Sequence, residues 1–208
     1  MKIDLDNYEG PLTPVSDFPH WLDLDLEVVV ALNHRLTLER ISKLQERAVA
    51  SVEASFSYDP DVLQSAIWSE ERHYADLRTA ANNLAMVGIV TRLQQWIESL
   101  VKRHEIKVAP SSDGRLIKLL RALNKDFGEG SVSIDFFDGL VNARDSVIHG
   151  DSSAKWSFNG KERRIPDCYS SPGDTLEITP DQVKEAISKA VEQVTWYDER
   201  IALIKSKA

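Results

Sequence analysis

The sequence predicts an all-α protein with one small β-hairpin, and three observations support this fold class. Apolar residues recur every three or four positions in several long stretches that contain neither glycine nor proline, as in amphipathic helices. One segment, 155–165, is instead centred on Asn159-Gly160, a pair that favours a two-residue hairpin turn. The chain has 208 residues, of which 42% are hydrophobic, so it is long enough for one domain with its own core.

The N-terminal part divides into an arm and a first helix. Residues 1–19 contain one glycine and three prolines among polar residues, which predicts an extended arm without a core of its own. The helical domain is therefore predicted at residues 20–208. Residues 21–56 lack glycine and proline, and their apolar stripe predicts a helix. This stripe consists of Leu38, Ile41, Ala48 and Val52.

A second helical segment begins at Asp59-Pro60, where an N-cap residue precedes a proline at the first helical position. It runs from Asp61 to about Arg103 and is long enough for two helices or for one bent helix, with a break near 73–77. Core packing explains its apolar stripe. The stripe includes Leu77, Ala81, Leu84, Val87, Val90, Ile97 and Leu100.

Two shorter helices follow a loop at 109–114. The first is amphipathic, extends from Leu116 to Phe127 and ends at Gly128. The second extends from Ile134 to Ile148 and is closed by His149-Gly150.

A hairpin insert at about 154–178 precedes the last helix. Its strands flank the Asn159-Gly160 turn, and a further short strand is expected around Thr175–Ile178. Thr179-Pro180-Asp181 then begins a helix that continues through Ile201.

The charge and cysteine content exclude several classes of protein. Lysine and arginine number 25 against 33 acidic residues, giving a net charge of −8. This balance argues against nucleic-acid binding through bulk positive charge but leaves room for a local basic site. The single cysteine, Cys168, excludes an internal disulfide framework and fits a reducing compartment. We expect a cytoplasmic protein without a membrane partner, because the acidic start lacks a targeting pattern and the longest apolar stretch, Val28–Leu32, is too short to span a bilayer.

One segment combines residues that can do chemistry: Arg144, Asp145 and His149 fall in the last two turns of the helix that starts at Ile134. Arginine is a permanent cation whose donors match phosphate oxygens, and histidine exchanges a proton near neutral pH. Asp145 lies four residues before His149, on the same helix face, where its carboxylate could orient the imidazole. Arg144 and His149 project about 140° apart on an ideal helix. They would meet one ligand only if the helix loosens near Gly150 or if a second copy contributes.

The same residues also suit an ordinary helix end, where basic side chains and a following glycine are common. Other catalytic patterns are missing from the sequence: it has no phosphate-binding glycine loop, no paired-cysteine zinc site, no His-Glu-x-x-His and no Gly-x-Ser-x-Gly elbow. The five histidines have no metal-ligand spacing, so we expect neither a metal nor another cofactor.

The segment Arg144–His149 resembles the Arg-polar-x-x-x-His motif of the HEPN superfamily, with Asp145 in place of the commoner asparagine. Its place at the end of a late helix, after a long helix over 77–100 and before a hairpin insert, is similar to HEPN-like nucleases of toxin and defence loci. The resemblance implies a bundle of long antiparallel helices. It also implies a metal-independent endoribonuclease that acts as a homodimer on an RNA substrate in a toxin–antitoxin or antiphage system, with an antitoxin protein as a partner.

The resemblance further implies a role for each motif residue. His149 would act as general acid and base, Arg144 would stabilise charge on the phosphate, and Asp145 would orient one of them. The products would be a 2′,3′-cyclic phosphate and a free 5′-hydroxyl. Asp151 departs from the pattern, because HEPN toxins that are modified by a nucleotidyltransferase carry tyrosine there.

Two other interpretations stay open at this point. Some HEPN domains are not catalytic, so the chain could be a HEPN-like module that binds a nucleotide, RNA or a protein partner. It could also be an unrelated helical interaction protein whose motif is only a helix end.

Basic residues outside the motif are candidates for RNA binding. They are Lys118 and Arg121 on the helix from Leu116, and Lys161, Arg163 and Arg164 on the hairpin. A solvated helix face is the alternative for the first pair. On the hairpin, Trp156 and Phe158 could add stacking, although Arg163 and Arg164 should point to opposite sides of their strand.

Overall fold

The computed structural model describes residues 25–55, 59–109, 114–150, 152–153, 155–158, 160–165, 169 and 175–205. The predicted N-terminal arm, the domain boundary at residue 20, Asp151 and Cys168 lie outside these residues. Within them the chain is helical, with a two-stranded hairpin before the last helix, so the predicted all-α fold class is confirmed.

Across the described residues, a short π-helical segment, Asp25–Leu32, is followed by five α-helices and two strands. The helices are α1 (Asn33–Ser55), α2 (Pro60–Arg103), α3 (Arg115–Phe127), α4 (Ile134–His149) and α5 (Pro180–Lys205). The strands are β1 (Lys155–Phe158) and β2 (Lys161–Arg164), which pair antiparallel. None of the described helices is both long and apolar enough to cross a bilayer.

The predicted helix starts at Asp59 and Thr179 are confirmed by their capping bonds. The Asp59 carboxylate accepts from the backbone N–H groups of the two residues after Pro60. At the start of α5, the Gln182 N–H donates to Thr179 Oγ1 at 3.3 Å, and the Thr179 N–H donates to Gln182 Oε1 at 2.8 Å. These reciprocal bonds form a capping box, which fixes where α5 leaves the preceding segment.

Helix α2 is a single helix of 44 residues, so the alternative of two helices separated near 73–77 is wrong. Those five positions hold neither glycine nor proline, and α1 packs alongside α2. His34 Nε2 donates to Asn82 Oδ1 at 2.7 Å, and the Arg78 guanidinium donates to Gln45 Oε1 at 2.7 and 2.8 Å. The two pairs run in opposite directions along the helices, so α1 and α2 are antiparallel.

The core forms around the second half of α2, which contacts α3, α4 and α5. Large side chains from all four helices are fully buried there. They include Met86, Ile89, Leu93, Ile97, Leu116, Leu120, Leu123, Phe137 and Tyr197. The prediction that Leu77 and Leu84 are core residues is wrong, because both are exposed, Leu84 by 66%. Leu84 lines an open groove with Val29 and Gly88, and residues of α1 line the same groove.

The hairpin follows the predicted register. Trp156 lies opposite Arg163 and Phe158 opposite Lys161, which leaves two residues for the turn. Gly160 has φ of +71°, in the left-handed region that this turn type requires. The described residues do not form the further strand expected at Thr175–Ile178: Thr175 and Leu176 are bridge residues only, and Thr175 pairs with Ser153.

Candidate active site

The motif lies on α4, a helix whose two ends are well defined. The Ser133 hydroxyl caps its N-terminus by accepting from the Asp135 N–H at 3.1 Å. Phe137, Leu140 and Ala143 are buried, and α4 contacts both α2 and α3. Burial of this apolar face fixes the rotation of α4 about its axis, which determines where the polar residues of the last two turns point.

The structure brings Arg144 and Asp145 together. Arg144 Nε lies 2.7 Å from Asp145 Oδ1, and both side chains are largely buried, with 21% and 28% of their areas exposed. The Nε–H makes no hydrogen bond, so the contact is an ion pair without hydrogen-bonding alignment. Within the described part of the chain, this pair is the one polar contact of the Arg144 side chain, which leaves Nη1 and Nη2 for a ligand.

His149 is the last residue of α4, and its side chain is exposed. Helix α4 stays regular to its end, since the Gly150 N–H donates to Ser146 O at 2.9 Å, the normal i to i−4 bond. The helix therefore does not loosen before Gly150, and Arg144 and His149 leave it about 140° apart.

Ser146 holds the chain where it leaves the motif helix. Its buried hydroxyl donates to Ser153 O at 2.7 Å, and its carbonyl also accepts from the Ser152 N–H at 3.1 Å. Gly150 is packed so closely that a Cβ there would lie 3.0 Å from Trp156 Cβ and Cγ. The Ser146 hydroxyl and the close packing of Gly150 on Trp156 thus hold the chain where it leaves α4.

The predicted RNA-binding residues are spread over two elements. On α3, Lys118 is half-buried and Arg121 is exposed. On β2, Arg163 is half-buried and Arg164 is exposed, as the alternation of a strand predicts, while only the backbone of Lys161 is described. The expectation that Trp156 stacks on a nucleic-acid base is wrong, because its ring is buried against Gly150.

Three cavities lie elsewhere on the described surface, and neither Arg144 nor His149 lines any of them. One of about 490 Å³ lies between the π-helical segment and α2, and one of about 710 Å³ lies between α1 and α5. The third, of about 410 Å³, lies between α2 and the residues that follow α4.

Four polar side chains that sequence patterns did not single out are central to the structure. Asn82, Asn83 and Gln193 are buried, and His34 is bonded to Asn82. Asn82 Nδ2 donates to Ile178 O at 2.7 Å, and Gln193 Oε1 accepts from the Val132 N–H at 2.9 Å. The adjacent asparagines inside the apolar segment 80–90 were a usable signal, since a buried polar side chain needs a partner.

Burial raises the pKa of the Tyr197 hydroxyl well above its ordinary value of 10, although a hydrogen bond with Gln193 acts in the opposite direction. Tyr197 lies in the core with its hydroxyl near Leu120 O and Asn124 Oδ1. Among the described residues, no hydrogen bond of Tyr197 connects it to Arg144, Asp145 or His149.

No group of three or more histidine, cysteine or acidic side chains among the described residues is arranged to hold a metal ion. The chain was also compared with known proteins. No protein-family model, no curated protein and no solved structure matches it.

Proposed function

We propose that the chain is a metal-independent endoribonuclease of the HEPN type, with Arg144, Asp145 and His149 as its catalytic residues. The observation that carries the proposal is their arrangement on the last two turns of α4, where a partly buried Arg144–Asp145 ion pair lies about one turn before an exposed histidine at a regular helix end. A general acid–base and a held cation are the two groups that RNA cleavage by the 2′-hydroxyl requires.

The proposed reaction proceeds by proton transfer and in-line displacement. His149 takes the proton of the 2′-hydroxyl, the 2′-oxygen bonds to phosphorus, and the bond from phosphorus to the 5′-oxygen breaks. The leaving 5′-oxygen receives the proton, so the products are a 2′,3′-cyclic phosphate and a 5′-hydroxyl. Arg144 Nη1 and Nη2 stabilise the charge that develops on the phosphate oxygens. Asp145 positions Arg144 through the 2.7 Å ion pair.

The proposed active unit is a homodimer in which Arg144 of one copy meets His149 of the other. The regular end of α4 supports this arrangement, because it keeps the two side chains about 140° apart within one copy. Ile148, beside His149, supports it as well, since 51% of this large apolar side chain is exposed. A second copy that covers Ile148 would place two motifs across one cleft.

We further propose a cytoplasmic toxin–antitoxin or antiphage role, with an antitoxin protein as a partner. The resemblance of the motif to HEPN nucleases supports this setting. The net charge of −8 agrees with RNA contacts confined to a small cleft rather than spread along a basic track.

The second candidate function is a non-catalytic HEPN-like module that binds a nucleotide, RNA or a protein partner. The Arg144–Asp145 pair favours it, because a carboxylate against the guanidinium neutralises part of the charge that a phosphate would meet. Neither Arg144 nor His149 lines any of the three cavities.

The two functions are separated by incubating the purified chain with RNA in EDTA. The nuclease predicts cleavage to 2′,3′-cyclic phosphates, with rates lowered about 10²- to 10⁴-fold in His149→Ala and Arg144→Ala. Matched controls are His73→Ala and Arg40→Ala, which remove an exposed histidine of α2 and an exposed arginine of α1.

Cleavage that is absent in the unaltered chain, or that survives both motif substitutions, overturns the nuclease. The non-catalytic module instead predicts no cleavage, together with ligand binding that Arg144→Ala weakens and Arg40→Ala does not.

A further inference from the structure

The cavity of about 410 Å³ between α2 and the segment after α4 has the features of a separate binding site. Its walls include Asp76, Thr79 and Asn83 of α2, and Ser152 and Glu177 from the residues that follow α4. We call it the Asn83 pocket.

Asn83 gives this pocket an unsatisfied hydrogen-bond acceptor. Only 5% of the residue is exposed, and its Nδ2 donates to Ser152 Oγ at 3.4 Å. Its Oδ1 makes no hydrogen bond with any described residue. Buried side-chain oxygens nearly always accept a hydrogen bond. Asn83 Oδ1 therefore lacks a donor, and the described part of the chain does not supply one.

The other residues that line the pocket also favour a ligand that donates hydrogen bonds and carries positive charge. The carboxylates of Asp76 and Glu177 form no ion pair with described residues, and none of the described residues that line the pocket is basic. Two backbone donors of the wall are occupied, since the Leu176 N–H donates to Ser152 O at 2.6 Å and the Glu177 N–H to Tyr169 O at 2.8 Å. The pocket therefore offers two negative charges to a ligand, beside a buried amide oxygen that lacks a donor.

We propose that the Asn83 pocket binds a primary ammonium group, which carries three donors and one positive charge. Two sources supply this group: a free diamine, or the lysine side chain of a protein partner. The pocket adjoins the motif helix, because Ser152 is bonded through its N–H to Ser146 O and lies three residues after His149. The Cα atom of Ser152, on the wall of the pocket, therefore lies within about 11 Å of the Cα atom of His149.

The test is a ¹H–¹⁵N NMR titration of the whole chain with 1,4-diaminobutane and, separately, with Nα-acetyl-lysine methylamide. We expect one of them to shift the side-chain amide signal of Asn83. Tetramethylammonium, which has the same charge but no N–H donor, should leave that signal in place. Tighter binding of the diamine identifies a free ligand, and tighter binding of the lysine derivative identifies a protein partner.

Two substitutions make the result specific. Glu177→Gln removes a negative charge and Asn83→Leu removes an amide oxygen, so each should weaken binding about tenfold or more. Binding to Asn83→Leu is followed by the backbone N–H signal of Ser152. Glu177 is exposed, so its substitution leaves the core intact even if Asn83→Leu fails to fold. Glu185→Gln on α5 is the matched control and should bind as the unaltered chain does, because Glu185 is exposed and lies outside the pocket.

The proposal is overturned if neither amine shifts the Asn83 signal, or if tetramethylammonium shifts it equally. Equal binding by Glu177→Gln would also overturn it. The titration contains no RNA, so its result is independent of whether the chain is a nuclease.

Discussion

Replacing Gly150 with alanine tests how the motif helix is joined to the hairpin. The added Cβ would lie 3.0 Å from Trp156 Cβ and Cγ and 3.1 Å from Ser146 O. Carbon atoms in contact prefer about 3.5–4.0 Å, so the neighbours must move by about 0.5 Å. The backbone angle is not the obstacle, because Gly150 has φ of −117°, which alanine adopts readily.

The neighbours of Gly150 have little freedom to move. Trp156 is buried, and its Cβ is attached directly to the β1 backbone, so it moves only if the strand moves. The Ser146 carbonyl already accepts two backbone hydrogen bonds. Overpacking of this kind destabilises by about 1–3 kcal/mol. For a chain of this length, that lowers the melting temperature by about 2–4 °C for each kcal/mol.

Urea unfolding followed by circular dichroism measures the effect, with Gly88→Ala as the control. A Cβ at Gly88 would lie 3.4 Å from Val30 Cγ2, an ordinary contact, and Gly88 is inside α2. Gly88→Ala should therefore stabilise by up to about 1 kcal/mol, because alanine favours a helix over glycine. If Gly150→Ala is as stable as the unaltered chain, or stabilises it as Gly88→Ala does, the described packing at the end of α4 is refuted.

Three further predictions follow from the described contacts. Asn82→Ala removes the donor to Ile178 O, which is buried, so the free energy of unfolding measured in urea should fall by about 1–3 kcal/mol. An unchanged free energy of unfolding would refute the hydrogen bond. The free energy of unfolding should fall as pH rises above about 10, because tyrosine ionises in the unfolded chain while burial keeps Tyr197 neutral in the folded one, and Tyr197→Phe should show a smaller fall. An equal pH dependence in Tyr197→Phe would contradict that account. Ile148→Lys should weaken self-association about tenfold or more in sedimentation equilibrium. Val62→Lys, a substitution at another exposed apolar position, should leave self-association unchanged. If both variants associate equally, Ile148 is not in the interface.

The features that the sequence predicted well are those set by neighbours in the chain. Three such features depend on residues within four positions of one another: the helix start at Asp59, the hairpin turn that includes Gly160, and the end of α4 at His149. The ion pair of Arg144 with Asp145 also joins adjacent residues, but the spacing did not predict it, because the spacing paired Asp145 with His149.

The features that were wrong or missed depend on contacts distant in sequence. The exposure of Leu84 follows from which side of α2 the other helices cover, and an apolar stripe does not reveal this for so long a helix. Asn82 is bonded to residues 48 positions before it and 96 positions after it. The strand expected at Thr175–Ile178 depends in the same way on a distant partner, and in the described residues Thr175 pairs with Ser153 at an isolated bridge.

The central claim is that RNA is cleaved by Arg144 of one copy together with His149 of another. Co-expressing Arg144→Ala and His149→Ala chains with different affinity tags yields mixed dimers that keep one intact composite site. With the random mixture of a two-fold symmetric dimer, the claim predicts about a quarter of the unaltered cleavage rate in EDTA, although each variant alone is inactive. Purified mixed dimers should show about half of that unaltered rate. Mixed dimers as inactive as either variant alone would contradict the claim.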